Sequence, residues 1–347
     1  MTAKRNAATH IRTGREPPAS SESGARAGRR RQRLVGAVVG VATLATLGAL
    51  AVVGAFNGNA SPLTNCAANL ASCSYPAATN TGVPAGTTLK TVPGQVSSGP
   101  GWSYSAAGND VAVTGNGAVL SGLYIPYLVH IQATNVTIKN VQVVVGGNWG
   151  ISLTHSAGVT IENSTISGQN ATTGRVGAAI DDVYSDSTGT VIKANNISAF
   201  KTAIQISAGL VDGNYIHDPG FITGDHTNGI YVGGGTGPIT IQNNTILNNM
   251  SQTDDINLDA GTAGVPTANM TIQNNFLAGG VYAIYAGAAR SNPTSNIVIK
   301  GNRFGQLYYP LSGQYGAGAY FDHTGAGNVW SGNSWDTTGL AVSAPTS

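Results

Sequence analysis

The segment Ile239-Thr240-Ile241-Gln242-Asn243-Asn244-Thr245-Ile246 contains a pattern that recurs along most of the chain, in which apolar residues alternate and are followed by Asn. Alternation with a period of two is typical of half-buried β-strands. Eight segments align on this pattern, at residues 136–140, 159–163, 191–195, 210–214, 239–244, 270–275, 297–302 and 329–333. Repeats of this length predict stacked units that share one continuous core.

One apolar residue of each unit defines the register. We take as equivalent Ile138, Ile161, Ile192, Val211, Ile241, Ile272, Ile299 and Trp330. Neighbours in this series are separated by as few as 19 residues, from Ile192 to Val211, and by as many as 31, from Ile161 to Ile192. The uneven period predicts a constant strand-turn-strand unit with loops of variable length.

An Asn follows this apolar residue by three positions in the last six units. These residues are Asn195, Asn214, Asn244, Asn275, Asn302 and Asn333. Asn tolerates the left-handed backbone of a tight corner. Its side-chain amide can also bond to the same amide one unit away. The column therefore predicts a repeated corner with a ladder of stacked amides.

A second strand precedes the first in most units. Its inward residues align as Ile151, Ile180, Ile204, Ile230, Ile256 and Ile284. Strict alternation then predicts an outward column of Ser152, Asp181, Gln205, Tyr231, Asn257 and Tyr285. Neighbours in such a column lie about 4.8 Å apart, the spacing of paired strands.

These units and their Asn column resemble the right-handed parallel β-helix of the pectin-lyase-like superfamily over about residues 101–340. The resemblance implies an all-β, single-stranded solenoid of eight to ten rungs. It leaves the function open, because the superfamily contains lyases, glycoside hydrolases, epimerases, esterases and adhesins. No catalytic set of the family carries over onto this sequence residue by residue.

Charge is distributed unevenly along the chain. Residues 1–33 contain nine of the 17 Lys and Arg and two of the 15 Asp and Glu, so the remainder has 8 basic and 13 acidic residues, a net charge of −5. Basic residues are thus concentrated in a tail predicted to be disordered. The remainder shows no mixture of basic and aromatic residues, and we expect no nucleic-acid partner.

An uncharged apolar run of 23 residues, 34–56, follows this tail. It predicts one N-terminal hydrophobic helix, either an uncleaved transmembrane anchor or the hydrophobic region of a signal peptide. Both interpretations place the basic tail in the cytoplasm and the β-helix outside. We expect residues 57–100 to form a linker and N-terminal cap, and residues 101–347 to form the β-helix, as a monomer.

The two cysteines, Cys66 and Cys73, follow the apolar run closely. Export favours disulfide formation, so we predict a Cys66–Cys73 bridge that closes a small loop at the entry to the domain.

Candidate catalytic residues gather near the outward column. The longest loop, 217–227, contains Asp225 and His226 and leads into Ile230. Stacking predicts that residues of neighbouring units share this face, and adds Arg175, Lys201 and Asp255 to the catalytic candidates. Tyr231, Asn257 and Tyr285 are predicted to bind substrate, because aromatic rings with a polar tip suit sugar rings.

Two types of reaction suit this set of outward-facing residues. A lyase acting on a uronate-bearing polysaccharide needs a base, and a cation that neutralises the uronate; Lys201, Arg175 and His226 can fill these roles. Calcium is a possible cofactor, with oxygen ligands from Asp181, Asp182, Asp254 and Asp259. A glycoside hydrolase instead needs two suitably spaced carboxylates, for which Asp225 with Asp254 or Asp255 is best placed.

We therefore expect an exported, carbohydrate-active β-helix protein, with a lyase favoured over a hydrolase. The alternative is a non-enzymatic surface protein that binds glycan.

Overall fold

The computed structural model describes residues 65–169 and 177–346. The basic tail, the apolar run 34–56 and Arg175 lie outside the described residues. Within the two described ranges, no helix has the length and apolar character needed to cross a membrane.

Alternating apolar residues build three long sheets, A, B and C, that run along a solenoid. Sheet A contains ten strands, Lys90–Thr91, Leu123–Ile125, Gln142–Val145, Thr165–Gly168, Asn196–Ser198, Tyr215–His217, Thr245–Asn248, Phe276–Gly279, Arg303–Phe304 and Ser334–Trp335. Sheet B contains eleven, Ser98–Gly99, Trp102–Ser105, Asp110–Val113, Leu128–Ile131, Trp149–Leu153, Ala178–Asp182, Thr202–Gln205, Thr227–Tyr231, Thr253–Asn257, Tyr282–Tyr285 and Gly316–Ala319. Sheet C contains nine, Val119–Ser121, Thr137–Lys139, Thr160–Glu162, Val191–Lys193, Gly209–Asp212, Ile239–Gln242, Thr267–Gln273, Thr294–Lys300 and Val329–Ser331.

All strand pairs in these sheets are parallel except two at the start of sheet B, where Ser98–Gly99, Trp102–Ser105 and Asp110–Val113 pair antiparallel. Among residues 65–169 and 177–346, helix is confined to three short 3-10 turns, Cys66–Ala68, Leu70–Cys73 and Ala289–Ser291. The protein is thus an all-β parallel solenoid, as predicted.

The strand pairing confirms the predicted register in both sets of strands. In sheet C, Ile138 pairs with Ile161, and the series continues without a slip to Trp330. In sheet B, Ile151 pairs with Ile180, and the series continues to Ile284. These inward residues fill one buried apolar core along the solenoid.

The Asn ladder forms as predicted, but its corner conformation lies one residue earlier. Asn244 Nδ2 donates to Asn275 Oδ1 at 3.0 Å, and Asn214 Nδ2 donates to Asn244 Oδ1 at 2.9 Å. The same contact continues from Asn195 through to Asn333. The left-handed residue is the one before each ladder Asn, at Ala194, Gly213, Asn243, Asn274, Gly301 and Gly332. The ladder Asn residues therefore act through their buried side chains.

The predicted Cys66–Cys73 disulfide is present. Its surroundings differ from those of a simple linker, because residues 65–83 lie along the outer surface of sheet A. We call this segment the strap. Cys66 packs there with Leu247, Phe276 and Ala278, and further along the Gly82 N–H donates to the Ala194 carbonyl at 3.0 Å. The chain then enters sheet A at Lys90–Thr91.

Candidate functional site

Sheet B carries two outward columns of side chains. The first is the predicted one, and the strand pairing aligns all its members, Ser152, Asp181, Gln205, Tyr231, Asn257 and Tyr285. The second column, three residues earlier on each strand, consists of Trp149, Ala178, Thr202, Asn228, Asp254 and Tyr282. The site is therefore wider than strict alternation predicts.

Two consecutive residues face inward between these columns, which moves Asp255 off the predicted face. In the strand Thr253–Asn257 these two residues are Asp255 and Ile256. The position before the inward Ile is occupied on successive strands by Gly150, Ala179, Ala203, Gly229, Asp255, Ala283 and Ala317. A Cβ added to Gly229 would meet Ile246 Cγ2 of sheet A at 2.4 Å, so this position faces the core. Asp255 is fully buried (0% exposed), and its predicted place on the catalytic surface is wrong.

A cavity of about 540 Å³ opens over the two outward columns. Its lining includes His226, Asn228, Tyr231, Thr253, Asn257, Asp259, Tyr285, Arg290 and Tyr320. A second cavity of about 360 Å³ shares His226, Asn228 and Tyr231 with it and extends past Lys201 to Asp181 and Trp149. Together they form one groove along the solenoid axis, which we call the sheet B groove. The groove unites seven predicted site residues, Asp181, Lys201, His226, Tyr231, Asn257, Asp259 and Tyr285.

Arg290 and Tyr320 complete the wall of the larger cavity, and sequence reasoning missed both. Each lies in a loop after a sheet B strand. Arg290 Nη1 donates to Asp259 Oδ2 at 2.5 Å, and the Tyr320 ring stacks on Tyr285 with centroids 5.2 Å apart. Neither residue follows the strand period, so the alignment carried no signal for them. Trp149, by contrast, lies within an aligned strand and was detectable.

Three residues that line the larger cavity have a left-handed backbone. Thr253, Arg290 and Tyr320 line it, and all three have left-handed φ values, of 57°, 56° and 57°. Among residues 65–169 and 177–346, Thr253 is the only β-branched residue in that region of φ. Such residues cost about 1–3 kcal/mol each and gather at functional sites. These conformations, together with the predicted residues in its lining, make this cavity the candidate centre.

Asp254 forms a buried floor beneath this cavity. Its Oδ2 accepts a hydrogen bond from Asn257 Nδ2 at 2.6 Å, while Oδ1 has no hydrogen-bond partner among the described residues. Burial, followed by the charge of Asp255, raises the pKa of Asp254 well above its usual value. Burial also raises the pKa of Tyr285, with Asp254 as the second cause. Tyr285 consequently keeps its phenolic proton at neutral pH.

Asp181 lies in the smaller cavity near Lys201. Burial raises its pKa; a hydrogen bond with the Trp149 side chain opposes the rise, and the charge of Asp182 adds to it. Asp182 itself faces away from the groove, because it pairs in register with the core residue Leu153. Its carboxylate accepts hydrogen bonds from the Ser187 backbone N–H and hydroxyl, and so closes a turn.

Asp225 is also buried beside the groove, where its carboxylate accepts from the Ile222 N–H at 3.2 Å. It does not line either cavity of the groove.

The proposed calcium ligands do not converge. Asp182 bonds to Ser187, Asp254 bonds to Asn257, and Asp259 pairs with Arg290. In the described part of the chain, no three His, Cys, Asp or Glu side chains are grouped as metal ligands. The structure thus does not bring the four predicted aspartates together, and calcium binding stays a prediction.

Comparisons with known proteins address the fold. The catalytic unit of a thermostable GH87 α-1,3-glucanase from Streptomyces thermodiastaticus strain HF3-3 aligns over 66% of this chain and 51% of its own, with 14% identity and a TM-score of 0.35. This chain thus spans about half the length of that structure, and the likeness supports no inference about substrate. No curated protein matches. Residues 127–335, more than half of the chain, match the family described as right handed beta helix region, and the chain belongs to this family.

Proposed function

We propose that the protein is a polysaccharide lyase that cleaves an extracellular, uronate-bearing chain bound along the sheet B groove. The observation that carries the proposal is the lining of the larger cavity, where Tyr231, Asn257 and Tyr285 stack in one column beside His226 and Arg290. Rings of this kind present an apolar face with a polar tip, which suits a sugar ring. The extracellular location rests on the apolar run 34–56, which serves either as an anchor or as an export signal.

Basic side chains favour an acidic substrate. Lys201 and His226 line the groove on neighbouring rungs, and Arg290 lines it two rungs further along. The Arg290 side chain is 51% exposed and engages Asp259 through Nη1. Because a guanidinium has five N–H donors, the remaining ones are free to meet a uronate carboxylate.

Carboxylate spacing favours a lyase over a hydrolase. Asp181 and Asp259 are the acidic residues in the groove lining. Asp181 lies three strand steps from Asn257, which Asp259 follows by two residues. Three steps amount to about 14 Å along the axis, whereas glycoside hydrolysis needs carboxyl groups about 5–9.5 Å apart.

The proposed reaction is β-elimination. Arg290 neutralises the uronate carboxylate, which makes the proton on the neighbouring ring carbon more acidic. His226 removes that proton, and the electron pair forms a C=C bond as the glycosidic C–O bond breaks. Tyr285 donates its phenolic proton to the departing oxygen, because the phenol is protonated at neutral pH and lines the cavity beside His226. Each proton transfer is of the kind that contributes about 10²–10⁴-fold to rate.

A glycoside hydrolase is the second candidate, favoured by the environment of Asp254. Its pKa is raised well above the usual value, while nearby Asp259 pairs with Arg290. Carboxyl groups whose environments separate their pKa values are typical acid and base partners. Asp254 is buried, however, so this mechanism requires Asn257 to move away from it.

The test uses the full-length protein and a panel of acidic and neutral polysaccharides, with calcium and with a chelator. Ultraviolet absorbance reports unsaturated uronates, and reducing ends are measured in parallel. A lyase gives new absorbance that His226→Ala abolishes and His323→Ala preserves; His323 is exposed and outside the groove. Reducing ends without absorbance indicate the hydrolase. If neither absorbance nor reducing ends appear but the protein still binds a glycan, the result supports the non-enzymatic surface protein.

A further inference from the structure

Four tyrosine rings form a continuous row at the end of sheet B nearest the C-terminus. Tyr320 stacks on Tyr285 with centroids 5.2 Å apart, and Tyr285 meets Tyr282 edge-on at 5.5 Å. Tyr282 in turn lies 6.1 Å from Tyr315. We call this set the tyrosine row.

The row extends beyond the cavity in which it begins. Tyr285 and Tyr320 line the larger cavity, whereas Tyr282 and Tyr315 do not. Tyr315 is 63% exposed, the second most exposed large apolar or aromatic side chain of the described residues after Leu340. Core packing therefore does not account for its position.

The next rung places only small residues beside Tyr282 and Tyr285. Tyr282 pairs with Gly316, and Tyr285 pairs with Ala319. A Cβ added to Gly316 would lie 3.4 Å from ring atoms of Tyr282, so a larger side chain there would cover this ring. The sheet thus presents an open aromatic surface where the outward columns continue.

We propose that the tyrosine row binds additional sugar rings of the same polysaccharide, outside the cavity in which cleavage takes place. This inference rests on the proposed function, because it extends that substrate. Tyrosine rings stack on the apolar faces of pyranose rings, and their hydroxyl groups bond to sugar hydroxyls. No Lys or Arg belongs to the row, so it selects for chain length and ring faces and not for the carboxylate.

The row's continuity with the groove identifies the occupant. A chain that leaves the larger cavity past Tyr285 meets Tyr282 next and then Tyr315. A substrate short enough to fit the cavity reaches Tyr285 and Tyr320 only. The row consequently predicts tighter binding of long chains than of short ones.

Affinity electrophoresis with long and short oligosaccharides of the best-bound polysaccharide tests the inference. Tyr315→Ala is expected to weaken binding of long chains about three- to tenfold, in line with one lost aromatic contact, and to leave short chains unaffected. Tyr315→Trp should restore binding. Tyr184→Ala is the control, because Tyr184 is 60% exposed and stacks on His155 away from the row.

Two outcomes overturn the inference, and they are distinguishable. If Tyr315→Ala binds long chains as tightly as the unaltered protein, or weakens long and short chains equally, the row is not an added sugar site and the proposed function stands. If the unaltered protein binds no polysaccharide, both proposals fail.

Discussion

Arg290 and Asp259 join two neighbouring loops across the mouth of the larger cavity, with 2.5 Å between Nη1 and Oδ2. Arg290 has a left-handed backbone, with φ of 56°, so its loop holds an unfavourable conformation that places the guanidinium at the cavity. A half-exposed ion pair of this kind contributes only about 0–1 kcal/mol to stability. Because this contribution is small, we infer that the ion pair serves to hold the positive charge of Arg290 at the cavity.

Arg290→Ala is expected to weaken cleavage of uronate-bearing chains about 10- to 100-fold in kcat/KM, because the substrate carboxylate loses its partner. The free energy of unfolding should change by less than about 1 kcal/mol. Steady-state kinetics and chemical denaturation measure the two effects. Arg290→Lys, which keeps the charge but loses the planar fork, should recover part of the activity. Unchanged kinetics in Arg290→Ala would remove this residue from the mechanism.

The Asn ladder offers a prediction for stability. Asn244 accepts hydrogen bonds from the Asn214 backbone N–H and amide, and donates to the Val211 carbonyl and to Asn275 Oδ1. Asn244→Ala leaves these buried groups without that partner, at about 1–3 kcal/mol for each group left unsatisfied. We expect the free energy of unfolding to fall by about 3 kcal/mol or more in urea denaturation.

Asn243→Gly is the matched control for this prediction. Asn243 is exposed and has a left-handed backbone, which Gly adopts readily. The control should therefore change stability by less than about 1 kcal/mol. Equal losses in the two variants would mean that the corner, and not the ladder, provides the stability.

Asp255 predicts an unusual dependence of stability on pH. Burial raises the pKa of this carboxyl well above its usual value, opposed by the backbone N–H of Ala278. The folded protein thus keeps a proton that the unfolded chain releases above its pKa of about 3.9. The free energy of unfolding should therefore fall as pH rises from the pKa of the unfolded chain toward the raised pKa of the folded protein, by up to about 1.4 kcal/mol per pH unit.

Asp255→Ala should remove this contribution and fits a position where the neighbouring rungs have the small residues Gly229 and Ala283. We expect the variant to be more stable than the unaltered protein at neutral pH, with a difference that shrinks toward acid pH. Denaturation at a series of pH values measures it. Asp212→Asn, at a half-buried aspartate that bonds to Asn243, is the control variant. A constant difference across pH would contradict the raised pKa.

Asp255 also shows where sequence reasoning reached its limit. The period-two pattern predicted the core register and the column from Ser152 to Tyr285, because each strand repeats the same apolar spacing. It misplaced Asp255 because two adjacent residues turn inward in sheet B. The signal was present as the small residues at the equivalent positions, such as Ala179 and Ala203. An aspartate at a position that is Ala or Gly on the other strands is expected to face the core as those residues do.

Residues in loops could not be placed by the same argument. Arg290 and Tyr320 reach the cavity from segments of irregular length, so no fixed offset predicts them. The strap presents the same difficulty, because its partners lie far away in sequence. Cys66 donates its backbone N–H to Asp336, 270 residues along the chain. The composition of residues 57–100 predicted a linker and cap, whereas the contacts of the strap form only on the assembled outer surface of sheet A.

Asp336 is predicted to hold the strap in place. Its two carboxylate oxygens accept from the Cys66 N–H at 3.1 Å and the Ala67 N–H at 2.9 Å, and Arg303 pairs with the same carboxylate. Hydrogen bonds to a charged group contribute about 1.5–3 kcal/mol each. Asp336→Ala should therefore open the strap locally and speed its proteolysis at least tenfold, mapped by mass spectrometry of the fragments.

The disulfide and the solenoid give this experiment its contrasts. The Cys66–Cys73 bridge closes only the strap's own turn, so reducing it in the unaltered protein should accelerate cleavage less than Asp336→Ala does. The control variant is Asp218→Ala, which should leave cleavage unchanged. Asp218 is highly exposed and follows the sheet A strand Tyr215–His217. Cleavage confined to residues 65–83 is expected, because the sheets retain their own core beneath the strap. General fragmentation would instead show that Asp336 supports the whole solenoid.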